Sequence, residues 1–140
     1  MKSKNGPVIV VEDDQDDQEI LREVFDLLEV SNTILFFSDG VEAIHYLNTT
    51  TDQPFLILCD INLPKMNGLE LRGQINLDER LRKKSIPFIF FSTNASPDAV
   101  AKAYDLTVQG FFVKSHTLQE LQDTMRLIIS YWTFCRHPNS

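Results

Sequence analysis

The sequence predicts a doubly wound α/β domain, in which a five-stranded parallel sheet of order 2-1-3-4-5 is covered by helices on both faces. Five short runs rich in valine, isoleucine and phenylalanine alternate with longer amphipathic segments. The runs lack polar alternation, as is typical of strands buried on both faces. This alternation implies right-handed crossovers in a three-layer (βα)5 arrangement. The 140 residues are enough for one core, so we expect residues 1–140 to be a single domain.

The apolar runs and the helical spacing between them locate the elements. The strands are predicted at residues 7–11, 33–37, 55–59, 87–91 and 110–113. Apolar residues at helical spacing predict the first helix around Leu21 and Phe25 and the last around Leu121 and Met125. Two helix starts are also recognisable, Ser96-Pro97-Asp98 with a cap and a first-turn proline, and the capping-box pattern from Thr117 to Glu120.

Composition excludes several classes of function. Lysine and arginine number 13 against 20 aspartate and glutamate, so the net charge of −7 argues against a nucleic-acid or anionic-membrane surface. The basic run 80–84 is a local exception that we interpret as a solvated loop. Cys59 and Cys135 predict neither a metal site nor a disulfide scaffold. With no signal peptide or long apolar span, we expect a cytoplasmic protein. Three histidines lack ligand spacing, and we predict no metal role for them: His45, His116 and His137.

Polar residues follow the strands at the points where they end. These residues are Glu12 and Asp13 after the first strand, Asp60 after the third, Ser92 after the fourth and Lys114 after the fifth. Sites in doubly wound domains lie at the carboxyl ends of the strands. Because strands one and three flank the point where the strand order reverses, we expect Glu12, Asp13 and Asp60 to meet in one crevice.

Converging carboxylates require a compensating charge. Two of them about 4 Å apart repel by roughly 4 kcal/mol at an effective dielectric constant near 20. Mg²⁺ suits such a site because it binds carboxylates, waters and phosphoryl oxygens. Acids at strand ends also commonly cap the next helix, which is our interpretation of Asp14 and Asp16. A carboxylate beside a metal can attack phosphorus, while Lys114 neutralises phosphoryl oxygens and Ser92 donates a hydrogen bond to one of them.

Four segments closely resemble the signatures of response-regulator receiver domains, in the right order and at the right separations. They are VIVVEDDQDD, LILCDINLPKMNG, PFIFFSTN and GFFVK. The resemblance runs from Val8 to the final helix and implies a flavodoxin-like fold. It also implies a phosphoaccepting switch, not an enzyme, that takes a phosphoryl group from a sensor histidine kinase or phosphotransfer protein in a magnesium-dependent reaction. Four features are further similar to small stand-alone regulators paired with bacterial phytochromes. They are the doubled acids of EDDQDD, the run NLPKMNG, the segment 76–85 and a last helix ending near Tyr131-Trp132.

The resemblance implies a role for each matching position. Asp60 would be the phosphoacceptor, assisted by Lys114 and Ser92. Ser92 and Phe111 would be the switch residues, and the fourth helix, fifth strand and fifth helix would bind a downstream protein or a second copy. Hydrolysis of the acyl phosphate would be tuned by Asn62 and Asn94. The magnesium ligands would be Glu12, Asp13, Asp60 and the backbone carbonyl of Asn62.

Two positions depart from the family pattern, and one aromatic cluster has two interpretations. Phe111 lacks the hydroxyl of the tyrosine often found there, and Ser115 replaces the usual proline. We predict a trans peptide between Lys114 and Ser115, because a cis bond before a residue other than proline costs roughly 2.5–4 kcal/mol.

The aromatic cluster near the end of the chain consists of Tyr131, Trp132 and Phe134. It either forms an interface or covers the core of the domain itself.

Three other functions remain as alternatives. A magnesium phosphohydrolase of the haloacid-dehalogenase type has a second aspartate two positions after the nucleophile, where this chain has Asn62. A flavodoxin-like flavin carrier needs a hydroxyl- and glycine-rich phosphate loop after the first strand, where this chain has acids. A phosphorylation-independent adaptor would keep the fold without the chemistry, although every chemical position here is filled acceptably.

Overall fold

The computed structural model describes residues 3–115 and 117–138 of the chain. Its centre is a five-stranded parallel sheet of order β2-β1-β3-β4-β5, which confirms the predicted fold class and strand order. No strand end differs from its predicted position by more than one residue. The strands are β1 (Val8–Val11), β2 (Ile34–Phe37), β3 (Leu56–Cys59), β4 (Phe88–Ser92) and β5 (Gly110–Val113).

Helices cover both faces of the sheet. They are α1 (Gln15–Leu27), α2 (Gly40–Thr49), α3 (Gly68–Asn76), α4 (Glu79–Lys84), α5 (Pro97–Asp105) and α6 (Leu118–Phe134), and a short 3-10 helix (Ser3–Asn5) precedes β1. One core cluster contains side chains of α1 and α6, and the other contains side chains of α2 to α5. Because α4 is an additional short helix, the predicted fourth and fifth helices are α5 and α6. No helix in the described part of the chain is long and apolar enough to cross a bilayer.

The helices begin at side-chain caps, as the sequence indicates. Asp14 caps α1 by accepting the backbone N–H of Asp17, which confirms the capping interpretation for Asp14. Ser96 caps α5, with Pro97 in the first turn, and Thr117 caps α6 by accepting the N–H of Glu120. These caps satisfy N–H groups that have no partner inside the helix.

The basic run 80–84 is not a solvated loop, so that interpretation was wrong. These residues belong to helix α4, whose N-cap is Asp78, and Leu81 of this helix is buried. Lys84 is also buried, and its ammonium group donates to the carbonyls of Leu47 (3.1 Å) and Thr50 (2.6 Å) at the end of α2. A charge pattern cannot reveal this arrangement, because the partners are main-chain carbonyls some 35 residues earlier.

The apolar residues that the sequence predicts in the first and last helices lie in the core on the α1 and α6 face. Leu21, Phe25, Leu121 and Met125 are buried. The aromatic cluster at the end of α6 divides between its two interpretations. Trp132 packs against the core on the α1 and α6 face, whereas the remaining members are exposed, Tyr131 by 63% and Phe134 by 88%.

Candidate phosphoryl-transfer site

The strand register brings the predicted acids to one edge of the sheet. Val11 is paired with both Phe37 and Cys59, so β1 and β3 end level with each other. Glu12 and Asp60 are the next residues, and the N–H of Asp60 donates to the carbonyl of Val11 at 3.0 Å. The structure therefore places acids at the point where the strand order reverses, as the order 2-1-3-4-5 requires.

Three carboxylates meet at this edge. Glu12, Asp13 and Asp60 each offer an oxygen, and these oxygens lie within 4.8 Å of one another. Glu12 and Asp60 are buried, while Asp13 is exposed, so the group opens to solvent on one side. Hard oxygen ligands at this separation fit a cation such as Mg²⁺.

The loop after β3 holds Asp60 in place. Its Oδ1 accepts the backbone N–H of Ile61 at 2.7 Å, and the N–H of Gly68 returns to the carbonyl of Ile61 at 2.9 Å. A Cβ at Gly68 would lie 2.2 Å from the carbonyl oxygen of Asp60. Glycine is therefore needed at residue 68 because the chain passes too close for any side chain.

Lys114 reaches the acids from the end of β5. Its Nζ lies 2.9 Å from Oδ2 of Asp60 and 3.0 Å from Oδ2 of Asp17, and it also contacts Glu12. The backbone N–H of Lys114 donates to the carbonyl of Ser92 at 3.1 Å, which extends the β4–β5 pairing to the site. The structure thus brings together Lys114, Asp60 and Glu12, which the sequence predicts to lie at one edge.

Burial and the contacts between charged groups raise the pKa values of both Glu12 and Lys114. Burial raises the pKa of Glu12, against the opposing effect of Lys114. Burial on its own lowers the pKa of Lys114, but its hydrogen bonds to Glu12 and Asp60 outweigh this and raise the pKa above the ordinary value. Lys114 is therefore an ammonium at neutral pH, and it partly neutralises the carboxylates around it.

The predicted switch residues Ser92 and Phe111 lie on β4 and β5. Ser92 is fully buried, and its Oγ accepts the N–H of Asn94 at 3.2 Å. Phe111 is half-buried, with its ring centroid 5.9 Å from that of Phe90. The hydroxyl of Ser92 thus bonds within its own loop, and Phe111 packs inward against the core.

Other predicted features are found as follows. Asn62 is exposed, and its N–H lies 3.4 Å from Oδ1 of Asp60. The cis peptide in the described part of the chain joins Ile86 and Pro87, so the bond between Lys114 and Ser115 is trans, as predicted. His116 lies outside the described residues. Cys59 and Cys135 are free, Cys59 in the core and Cys135 half-buried.

Sequence reasoning missed Asp17. The residue lies in the first turn of α1 and supplies one of the carboxylates around Lys114. Its position three residues after the N-cap is recognisable in the sequence, but its contact with residue 114 depends on how α1 lies against β5.

Comparisons with known proteins agree with this geometry. The family model described as response regulator receiver domain matches residues 8–126. The response regulator Rcp1 of Synechocystis sp. is 29% identical over 140 residues, with 94% of each chain covered. A solved structure of the phosphorylated cyanobacterial phytochrome response regulator RcpA is 30% identical with a TM-score of 0.83, and covers 92% of this chain and 94% of its own. The Mn²⁺-bound form of Rcp1 is 29% identical with a TM-score of 0.80, covering 91% and 94%. The predicted resemblance to phytochrome-associated regulators is confirmed.

Proposed function

The chain belongs to the response-regulator receiver-domain family, and on that premise we propose that Asp60 accepts a phosphoryl group from a histidine kinase or phosphotransfer protein. Residues 1–140 then act as a single receiver domain in the cytoplasm, whose reducing conditions suit the free thiols of Cys59 and Cys135. One observation carries the proposal. The carboxylate of Asp60 lies at a strand end beside Glu12 and Asp13, and its Oδ2 lies 2.9 Å from the ammonium of Lys114.

The reaction transfers one phosphoryl group without any change of oxidation state. A carboxylate oxygen of Asp60 forms a bond to phosphorus as the bond to the donor breaks, either P–N in a phosphohistidine or P–O in acetyl phosphate. The donor leaves with the electron pair of that bond, and Asp60 becomes an acyl phosphate. Lys114 stabilises the negative charge on the phosphoryl oxygens. Water later attacks phosphorus, the P–O bond to Asp60 breaks, and inorganic phosphate leaves as the carboxylate is restored. We propose that Asn62 and Asn94 tune this step.

Magnesium is the proposed cofactor. We assign its ligands to Glu12, Asp13, Asp60 and the backbone carbonyl of Asn62. When bound, the ion neutralises the carboxylates and the charge on the incoming phosphoryl oxygens. The acidic group of the first three residues supports this assignment, as does the Mn²⁺-bound form of the similar protein Rcp1.

Phosphorylation is proposed to alter a surface of α5, β5 and α6. Ser92 would turn from Asn94 towards the phosphoryl group, and the packing of Phe111 against Phe90 would change with it. We propose that this face binds a downstream protein or a second copy of the chain. Exposed apolar side chains on these elements support that role, among them Tyr104, Val113, Leu127, Tyr131 and Phe134.

The alternatives account for fewer of the observations. A phosphohydrolase of the haloacid-dehalogenase type would have an acid at residue 62, and a flavin carrier would bring a phosphate against Glu12 and Asp13. An adaptor that works without phosphorylation does not require Lys114 to lie against Asp60. The phosphoaccepting switch uses every one of these groups.

Incubation with Mg²⁺ and acetyl phosphate, followed by intact-mass measurement, tests the proposal. We expect one added phosphoryl group in the wild type and in Asp16→Asn, an exposed aspartate nearby. We expect none in Asp60→Asn, and much less in Asp13→Ala or without Mg²⁺. Light scattering of the same samples reports whether phosphorylation changes self-association.

Two results would contradict the proposed function. One is a modification that persists in Asp60→Asn, since the acceptor would then be a different residue. The other is an unmodified wild type under conditions that label a known receiver domain, which would favour the adaptor.

A further inference from the structure

Asp17 contacts the amine that the proposed reaction depends on. Its Oδ2 lies 3.0 Å from Nζ of Lys114, nearly the same distance as Oδ2 of Asp60 at 2.9 Å, and Glu12 supplies a third carboxylate. An ammonium group has three N–H donors and no acceptor, so three carboxylates satisfy it completely. We propose that Asp17 is a positioning residue, which holds Lys114 in place while Asp60 is converted to an acyl phosphate. This inference rests on the proposed function.

The capping of α1 explains why Asp17 is available for this contact. Asp14 is the N-cap and accepts the N–H of Asp17 at 3.1 Å, which fixes Asp17 as the third residue of the helix. An acidic side chain at this position often bonds back to the N–H of the N-cap residue. Here the N–H of Asp14 donates to Oε2 of Glu12 at 3.2 Å instead. The carboxylate of Asp17 is therefore free to bind Lys114.

Asp17 differs from the other two carboxylates in its place at the site. Its side chain is 41% exposed, against 3% for Glu12 and 10% for Asp60. Within the described part of the chain, the acidic group that could hold a cation contains Glu12 and Asp60 but not Asp17. In the proposed reaction a cation or phosphoryl group would engage Glu12 and Asp60, and we expect the contact between Asp17 and Lys114 to remain. Asp17 is therefore the partner that Lys114 keeps before and after transfer.

Loss of Asp17 has two opposing effects, which can be separated. Removing a negative charge near the site favours an anionic phosphoryl donor, and this effect depends on net charge alone. Removing the outer partner of Lys114 lets the ammonium turn away from the reacting oxygens, which slows transfer. We expect the second effect to be larger, because Asp17 touches Lys114 directly. Asp16 is exposed on the same turn of α1, so its substitution measures the charge effect alone.

The first measurement is the rate of phosphorylation by acetyl phosphate with Mg²⁺, followed by intact mass. We expect Asp17→Ala to slow the reaction about three- to tenfold relative to Asp16→Ala, as for the loss of one charge-assisted hydrogen bond. Asp17→Asn keeps an acceptor oxygen and should be slowed less, and Asp17→Glu should recover part of the wild-type rate. Equal rates for Asp17→Ala and Asp16→Ala would overturn the proposal.

The second measurement does not require phosphorylation. In isotope-labelled protein, the ammonium protons of Lys114 should exchange slowly enough with water to give an NMR signal, because all three have partners. We expect this signal to broaden in Asp17→Ala and to persist in Asp16→Ala, at unchanged melting temperatures. An unchanged signal in Asp17→Ala would refute the positioning role. A wild type that takes no phosphoryl group would contradict the proposed function instead, and the NMR comparison would still decide whether Asp17 holds Lys114.

Discussion

Two basic side chains lie in different environments, the half-buried Lys114 at the carboxyl edge of the sheet and the buried Arg72 on α3. Lys114 contacts carboxylates, which raise its pKa in spite of burial. Arg72 donates to three main-chain carbonyls and lies over the ring of Phe88, with 5.1 Å between Cζ and the ring centroid. Burial lowers the pKa of Arg72 to about 10. The ammonium of Lys114 can exchange a carboxylate partner for another anion, such as a phosphoryl group. The partners of Arg72 are main-chain carbonyls, which the backbone holds in place.

The carbonyls that hold Arg72 belong to the ends of two helices. Its Nε and Nη2 reach the carbonyls of Leu106 (3.2 Å) and Thr107 (3.1 Å) just after α5, and Nη1 reaches Ser85 (3.2 Å) just after α4. Helix carboxyl ends carry partial negative charge and carbonyls that lack helical partners. Thr107 also has φ of 60°, in the left-handed region. Arg72 therefore joins α3 to the ends of α4 and α5 and supports a strained turn.

The largest effect on stability is expected for Arg72→Met. Loss of the three hydrogen bonds that the buried guanidinium donates to main-chain carbonyls should lower the free energy of unfolding by about 2–4 kcal/mol. Arg82→Met is the matched control, because Arg82 is exposed on α4. Urea unfolding measures both, and the folded fraction of Arg72→Met should still be phosphorylated. Equal stability of the two variants would show that the hydrogen bonds of Arg72 do not stabilise the fold.

A smaller loss of stability, which added Mg²⁺ should reverse, is expected for Lys114→Met. The carboxylates lose their internal cation, but the site opens to solvent, so we expect a loss of about 1–2 kcal/mol at neutral pH without Mg²⁺. Added Mg²⁺ should restore this stability, whereas it should not restore that of Arg72→Met. Unfolding curves at increasing Mg²⁺ concentrations provide the measurement. If Mg²⁺ fails to stabilise Lys114→Met more than the wild type, the carboxylates around Lys114 do not form an exchangeable cation site.

The smallest effect is expected for His137, another buried basic residue that contacts a main-chain carbonyl. Its Nε2 lies 2.8 Å from the carbonyl oxygen of Phe55, and burial, with a smaller contribution from Lys4, lowers its pKa from 6.5. The unfolded chain therefore binds this proton more readily than the folded protein. Its contribution to stability is present at neutral pH and is lost as the pH falls below 6.5 through the folded pKa.

Melting temperatures from about pH 7.5 to about pH 5 test this expectation. His137→Gln keeps an N–H donor and does not titrate, so the wild type should lose more stability on acidification than the variant. Parallel melting curves for the two proteins would show that His137 binds protons equally in both states.

The sequence by itself determined the strands, the caps and the acidic edge of this protein. Strand positions follow from local apolar runs, and the caps at Asp14 and Ser96 follow from side chains that bond within three residues. The meeting of Glu12, Asp13 and Asp60 follows from strand order, because parallel strands end at a common edge. Each of these features depends on local chemistry or on a rule of sheet topology.

Only the tertiary structure decided where the buried cations find their partners. Lys84 and Arg72 resemble ordinary surface charges in the sequence, yet both are buried against carbonyls of distant segments. Asp17 resembles a helix-start acid, yet it holds Lys114, 97 residues later. Main-chain carbonyls are the same at every residue, so no sequence pattern marks those that will accept a cation. The physical reason is that the packing of helices on the sheet selects such partners, and this packing joins residues that are far apart in the chain.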